Sequence, residues 1–412
     1  MQVKGVNLCD FCFSPVEPGV VCPYCGQTHD TYRSEIGLLT PGTPLLGGKY
    51  VIGRVLGRGG FGVTYLAYSF EHNVPVAIKE YFPNGFATRA KGEVNISIVS
   101  DEKRETFGKG AKRFFEEAQT MARFNQNPNI VSVYEFFYDN GTVYYAMEYL
   151  DGIDLKGYIA RNGGRISESE AIRIMKCICD ALQAVHSTQT LHRDVAPDNI
   201  FMCNDGRIKL IDFGAAKQVI GNAQQVYSVV VKKGFAPLEQ YNSTGHQGTW
   251  TDLYALGASI YYAVTGTFPP DAVSRTENPM IPFNPALGLS QGFINILGRC
   301  MEIPIYNRFQ SALELRYALD HVYDSIPMPP SPPPPSPDRH WERWIIGTAA
   351  LFIVILLVVL VVSMFMGRRP PNADPYNRDP NRSQNVEQKD PKPEPGDKKM
   401  QNPLEEQFKI NL

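Results

Sequence analysis

Residues 191–214 read LHRDVAPDNIFMCNDGRIKLIDFG. Either short motif in that stretch, His192-Arg193-Asp194 or Asp212-Phe213-Gly214, is by itself usually just a loop. Their company gives them weight. Upstream, residues 50–68 read YVIGRVLGRGGFGVTYLAY, in which alternating apolar residues flank Gly57-Arg58-Gly59-Gly60-Phe61-Gly62. A lone G-x-G-x-x-G also suits a dinucleotide fold, but there the chain would continue into a helix. Here it continues as a strand over 63–68 and then reaches Val76-Ala77-Ile78-Lys79. Glycines let a backbone close over phosphates without side-chain clash. The lysine on the next strand supplies a positive charge for phosphate oxygens. Downstream, Ala236-Pro237-Leu238-Glu239 completes the series.

These five motifs stand in the order and spacing of the protein-kinase signature set. Residues 48–325 thus resemble the eukaryotic-type serine/threonine protein kinases, and GGFGVTYLA, KEYFP and GFAPLEQY look like bacterial members. The resemblance implies an α+β, bilobal fold with a β-rich N-lobe and an α-helical C-lobe. It implies ATP with Mg2+ or Mn2+, and protein substrates. Gly57, Gly59, Gly62 and Ala77 would line the nucleotide site, with Lys79 on the α and β phosphates. The partner of Lys79 would be Glu117, in the helical stretch 113–121; Glu116 competes, but Glu117 has the family's spacing to Met121. Met147 would be the gatekeeper, and backbone groups of Glu148 and Leu150 would read adenine. Asp154 is either a ribose ligand or a solvated acid. Asp194 would accept the substrate hydroxyl proton, and Asn199 and Asp212 would hold Mg2+. Glu239 and Arg308 match a structural ion pair, and Asp252 matches a helix residue that braces the catalytic loop.

Three positions depart from the family pattern. Thr64 replaces the valine that packs on adenine, and its methyl can still pack. Ala196 replaces the lysine that touches the γ-phosphate in serine/threonine kinases. Tyrosine kinases also have alanine there, with an arginine two residues on, but here that residue is Asp198. Lys232 replaces the threonine that bonds the catalytic aspartate and lysine. One reading is that Lys232, or its neighbour Lys233, restores the missing charge; the other is that both are surface lysines. Arg193 suits an activation loop ordered by phosphate. Between Gly214 and Glu239 the hydroxyls are Tyr227 and Ser228, of which Ser228 is the expected autophosphorylation site.

The rest of the chain divides by composition. The 412 residues carry 40 Lys plus Arg against 42 Asp plus Glu, and the balance of −2 argues against a polyanion binder. Residues 326–344 begin as a proline-rich spacer of polyproline type. Residues 345–366, IIGTAALFIVILLVVLVVSMFM, carry no charge and would span about 33 Å as a helix, enough for a bilayer core. Trp341 and Trp344 sit where amphipathic rings favour the interface. A single transmembrane span is expected, against the alternative of a buried core helix. Arginine counts slightly favour a cytoplasmic tail, but ATP chemistry requires a cytosolic kinase domain, so the polar, disordered tail 367–412 is placed outside the cell. The N-terminus shows no apolar signal-peptide core.

Within residues 1–40, Cys9-Asp10-Phe11-Cys12 and Cys22-Pro23-Tyr24-Cys25-Gly26 form two C-x2-C pairs separated by nine residues. Four thiolates so spaced can close on one tetrahedral Zn2+, and none is left over for catalysis. The segment resembles a small zinc ribbon; two disulfides are the alternative, disfavoured in a reducing compartment. Gly26 suits the tight turn. His29 is read as a surface residue, and Cys177, Cys179, Cys203 and Cys300 as core thiols. Residues 94–100 alternate well enough for a strand, with Lys91-Gly92 as a turn before it, so an extra N-lobe hairpin is expected, either a docking surface for the ribbon or a partner, or a family decoration.

Two other functions compete with an active kinase. A nucleotide-binding pseudokinase scaffold draws support from Ala196 and Lys232, and the complete Lys79, Asp194, Asn199, Asp212 set opposes it. A nucleic-acid role for the ribbon is disfavoured, because its first 40 residues hold only Lys4 and Arg33 as fixed positive charges. Clustering as a homodimer in the membrane would allow phosphorylation in trans.

Overall fold

The computed structural model describes residues 1–3, 5–17, 19–27, 35–212, 232–241 and 245–324. The spacer 326–344, the apolar run 345–366 and the tail 367–412 lie outside the described residues. So do Lys4, His29, Arg33, Phe213, Gly214, Tyr227 and Ser228. Among the described residues no helix is long and apolar enough to cross a membrane.

A short hairpin, β1 (Gln2–Val3) with β2 (Val6–Asn7), opens the chain. Then come β3 (Pro44–Leu45), β4 (Tyr50–Arg58), β5 (Gly62–Ser69) and β6 (Val74–Tyr81). They are followed by β7 (Ala87–Thr88), β8 (Ser97–Ile98), helix α1 (Asp101–Ala122), β9 (Val133–Asp139) and β10 (Thr142–Glu148). Six strands form one antiparallel sheet in the order β3-β4-β5-β6-β10-β9. Helix α1 lays Phe107, Phe114, Ala118 and Met121 against it, where Tyr81 and Tyr145 meet the helix aromatics. The i, i+4, i+7 spacing of these apolar residues is what fixes the helix face.

The second half is helical. It contains β11 (Gly152–Asp154), α2 (Leu155–Arg161), α3 (Glu168–Ser187), β12 (Ile200–Cys203) and β13 (Ile208–Leu210). Helices α4 (Thr249–Thr265), α5 (Gln291–Cys300) and α6 (Ala312–Asp320) complete it. Helix α3 starts where Ser167 accepts the Glu170 N–H, and Glu168 and Glu170 complement its positive end. Helix α4 is apolar on nearly every face and is accordingly buried all round. Gly257 in α4 backs onto Cys300 of α5 so closely that a Cβ would collide. The halves join through backbone bonds from Val131 N–H to the Leu210 carbonyl (3.1 Å) and from Leu210 N–H to the Asn129 carbonyl (2.8 Å). One continuous apolar cluster runs through both.

The cysteine segment folds as two matching turns. Phe13 N–H donates to the Cys9 carbonyl at 2.9 Å, and Gly26 N–H to the Cys22 carbonyl at 2.8 Å. Both following residues are left-handed, Gly26 at φ 68° and Phe13 at φ 59°. Glycine takes that conformation freely, whereas a bulky residue there is strained by roughly 1–2 kcal/mol. The reason for phenylalanine lies across the interface. The Phe13 ring is buried against Leu66 and Tyr68, with Leu56 and Tyr149 at its edge. It lies over Gly53 of β4, where an added Cβ would come within 2.8 Å of the ring and of the Phe11 carbonyl. Arg54 N–H closes the contact by donating to that carbonyl at 2.9 Å. The segment therefore docks on β4 and β5, not on the hairpin β7–β8, because the apolar socket is there. Phe13→Ala should lower the denaturation midpoint of the full chain by an amount equivalent to about 3 kcal/mol. An unchanged midpoint would show the ring to be a passive passenger.

The hairpin β7–β8 has a different tie. Arg89, just after β7, is fully buried and paired with Glu80 of β6. It also donates to the carbonyls of Val94 (2.8 Å) and Gly37 (3.0 Å). Glu80 in turn accepts from the hydroxyls of Tyr65 (2.9 Å) and Tyr144 (2.6 Å). This network stitches the insertion and the 37–39 segment to the sheet.

Candidate active site

The glycine-rich turn joins β4 to β5 and is closed by Gly59 N–H on the Gly62 carbonyl at 2.9 Å. Its tip is held by Phe82 N–H on the Phe61 carbonyl (3.1 Å) and Asn84 N–H on the Gly60 carbonyl (3.0 Å). The glycines serve different ends. Side chains at Gly57 and Gly60 would meet open space, so these positions keep the loop surface bare. Gly62 is required by packing, because a Cβ there would collide with the Glu80 carbonyl.

Strand alternation in β6 turns Lys79 and Glu80 to opposite faces. Lys79 faces the cleft and its ammonium lies 2.5 Å from Asp212 Oδ1. Ala77 is buried beside it on β6, opposite Met147 of β10. Glu117 is buried on the inner face of α1, whereas Glu116 faces solvent near Lys112. Burial alone would lower the Lys79 pKa, but Asp212, then Tyr145 and Glu117, outweigh it and hold Lys79 firmly charged. Tyr145 was not legible as a site residue; its hydroxyl lies 3.4 Å from Asp212 Oδ1.

After β10 the chain crosses between the lobes. Glu148 pairs through its side chain with Arg207 (2.6 Å) and Lys209 (2.8 Å), which fixes the crossing strand to β13 and the turn before it. Leu150 is buried. Asp154 caps α2, its Oδ1 accepting Gly157 N–H at 2.6 Å.

The catalytic loop is held from below. Asp252, fully buried in the first turn of α4, accepts the N–H of His192 (2.9 Å), the N–H of Arg193 (2.7 Å) and His186 Nε2 (2.8 Å). Gln240 donates to the Arg193 carbonyl at 2.9 Å. Arg193 (φ 64°) and Asp212 (φ 55°) are left-handed, so both acids of the site are aimed by unusual backbone. The Asn199 amide donates to the Asp194 carbonyl at 2.7 Å and to its Oδ2 at 2.5 Å. Ile211 N–H on the Asn199 carbonyl (2.9 Å) holds the two segments together. With its nitrogen engaged, Asn199 keeps its side-chain oxygen as an acceptor, and the neighbouring segment supplies the Asp212 carboxylate. That is a hard oxygen donor set of the kind Mg2+ prefers. Glu239 and Arg308 meet at 2.8 Å and 3.2 Å, buried, with the guanidinium over the Tyr254 ring. Lys232 reaches the loop too, its Nζ 3.3 Å from Asp194 Oδ1.

Lys79, Asp212, Asn199 and Asp194 thus come together between an antiparallel sheet and a helical lobe, which is the architecture of a bilobal phosphotransferase. The family model for the protein kinase domain matches residues 50–284, and the chain belongs to that family. It is 29% identical over 291 residues to the serine/threonine-protein kinase PrkC of Bacillus subtilis, covering 68% of this chain and 41% of that protein. It is 28% identical to serine/threonine-protein kinase F of Synechocystis, covering 67% of this chain and 56% of the relative. The chain therefore spans about half the length of these relatives. Among solved structures, the apo form of PpkA-294 is 32% identical with a TM-score of 0.63, covering 69% of this chain and 99% of that one.

Proposed function

We propose that the chain is an ATP-dependent protein serine/threonine kinase. The observation that carries this reading is the convergence of Lys79, Asp212, Asn199 and Asp194 in one cleft under a glycine turn. Lys79, steadied by Glu117, draws the α and β phosphates into place. Backbone groups at Glu148 and Leu150 take the adenine, beside Ala77 and under Gly57, Gly59 and Gly62, and Asp154 is at hand for the ribose. The substrate hydroxyl oxygen attacks the γ-phosphorus, its proton passes to Asp194, and the bond to the β–γ bridging oxygen breaks to release ADP. Asn199 and Asp212 would hold Mg2+, which neutralises phosphate charge. Most of the rate would come from positioning and charge, since the protein forms no covalent bond.

Full-length protein incubated with Mg2+, ATP and a generic protein substrate should incorporate phosphate on serine or threonine. Asp194→Asn should reduce it at least about 100-fold. Nucleotide binding without transfer would favour a scaffold instead.

The cysteine quartet is read as a structural zinc site. All four Sγ atoms lie within 4.8 Å of one another, with 3.7 Å between Cys9 and Cys25 and 3.6 Å between Cys12 and Cys22. A tetrahedral site with Zn–S bonds of about 2.3 Å needs sulfurs roughly 3.8 Å apart, whereas a disulfide needs about 2.05 Å. Backbone N–H groups of Phe11 and Cys12 reach Cys9, and those of Tyr24 and Cys25 reach Cys22, as thiolate ligands require. Residues 345–366 are read as a single-pass anchor to the cell membrane, with the kinase domain cytoplasmic and the tail outside. Ser228 is the proposed autophosphorylation site, reached in trans within a homodimer. Mapping phosphopeptides after incubation with ATP tests this last reading.

A further inference from the structure

The γ-phosphate lysine of serine/threonine kinases is missing at Ala196, which is buried. The structure puts another ammonium beside the same loop. Lys232 Nζ lies 2.7 Å from Asp198 Oδ1 and 3.3 Å from Asp194 Oδ1. Its backbone is anchored, since the Lys232 carbonyl accepts the N–H groups of Phe235 (3.0 Å) and Ala236 (3.1 Å). The Phe235 ring is in turn packed edge-on against Tyr262 and Phe268. Lys233, one residue on, is exposed. Burial alone would lower the Lys232 pKa, but Asp194 and Asp198 outweigh it, so the side chain stays cationic.

We propose that Lys232 is the catalytic cation for the transferred phosphoryl group, held in place by Asp198. This rests on the kinase reading above. Charge accumulates on the γ-phosphoryl oxygens and on the leaving oxygen during transfer. A cation within ion-pair distance of the acid that receives the hydroxyl proton is within reach of the group being attacked. The aspartate at 198 also has a reason. Where an arginine would supply charge directly, the carboxylate of Asp198 instead holds an ammonium that comes from another segment. Two departures from the family pattern, Ala196 and Lys232, thereby become one relocated charge. Lys232 is three-quarters buried at its side chain, with 27% exposed, so its removal does not breach the core.

The test uses the full-length protein as wild type, Lys232→Ala, Lys232→Arg and Lys233→Ala. Phosphoryl transfer is read by single turnover, and affinity is read separately for ADP and for the non-hydrolysable analogue AMP-PNP. Lys232→Ala should slow transfer by about 100-fold. It should weaken AMP-PNP by roughly tenfold while leaving ADP nearly unchanged. Lys232→Arg should recover part of the rate, and Lys233→Ala should behave as wild type. An undiminished or raised rate in Lys232→Ala overturns the proposal, and so does an equal loss of affinity for ADP and AMP-PNP. If the wild type transfers no phosphate, the kinase reading fails, and the ratio of the two affinities still decides the role of Lys232.

Discussion

Replacing Asp252 by alanine is expected to lower phosphoryl transfer by about 100-fold and to destabilise the protein by about 3–5 kcal/mol. The side chain touches no substrate. It accepts two backbone N–H groups and one imidazole inside a sealed helix terminus. Each donor left without a partner costs about 1–3 kcal/mol. The rate falls for another reason. Arg193 is held at φ 64° partly by its bond to Asp252, and Asp194 is the next residue. Once released, the loop relaxes, and a displacement near 1 Å at a reacting group is worth about 100-fold. Nucleotide affinity, carried mainly by the other lobe, should change little. Single-turnover rates with parallel nucleotide titrations check this, and a full rate in a destabilised protein would show the brace to be purely structural. Burial by itself would raise the Asp252 pKa, but the hydrogen bond from His186, with the charge of His186 and His192, lowers it. Its contribution is therefore complete above an unfolded carboxylate value of about 3.9 and is lost as pH falls through the lower folded value. The acid limb of the stability curve should flatten in Asp252→Asn.

Arg89→Met should cost a similar 3–5 kcal/mol, and for an electrostatic reason. It would leave the Glu80 carboxylate buried with two tyrosine hydroxyls and no cation. Adding Glu80→Gln removes that uncompensated charge, so the double variant should regain much of the loss. Urea denaturation of the two single variants and the double variant closes the cycle. Strictly additive losses would mean that the pair is not coupled. Because Glu80 follows Lys79 on β6, the single variant should also weaken nucleotide binding.

What could be read in the residues was the part set by short spacings. Lys79, Asp194, Asn199 and Asp212 lie inside compact motifs, and the choice of Glu117 over Glu116 rests on the family's spacing to Met121; of the two, Glu117 is the buried one. The C-x2-C pairs were legible in the same way, since two residues suffice to bring both sulfurs to one side of a turn. Asp252 was legible only as a motif residue, and its three partners were not. Glu80, Arg89 and Gln240 escaped notice, because no periodicity announces a buried pair between a strand and an irregular insertion. The alternation at 94–100 announces a hairpin there; its pairing of Ala87–Thr88 with Ser97–Ile98, and the seating of the cysteine segment on β4 and β5 instead, are visible only in the fold.

The residues alone thus determine the family, the candidate catalytic set, the cysteine quartet and the departures at Ala196 and Lys232. Those are matters of local order, and neighbours along the chain decide them. Only the tertiary structure decides which of Lys232 and Lys233 turns inward, since the turn that follows Lys232 is fixed by the distant packing of Phe235 on Tyr262 and Phe268. It also decides where the cysteine segment sits. A strained Phe13 finds its socket over Gly53, forty residues away along the chain. Contacts of that span are set by shape and buried area, which no local pattern encodes.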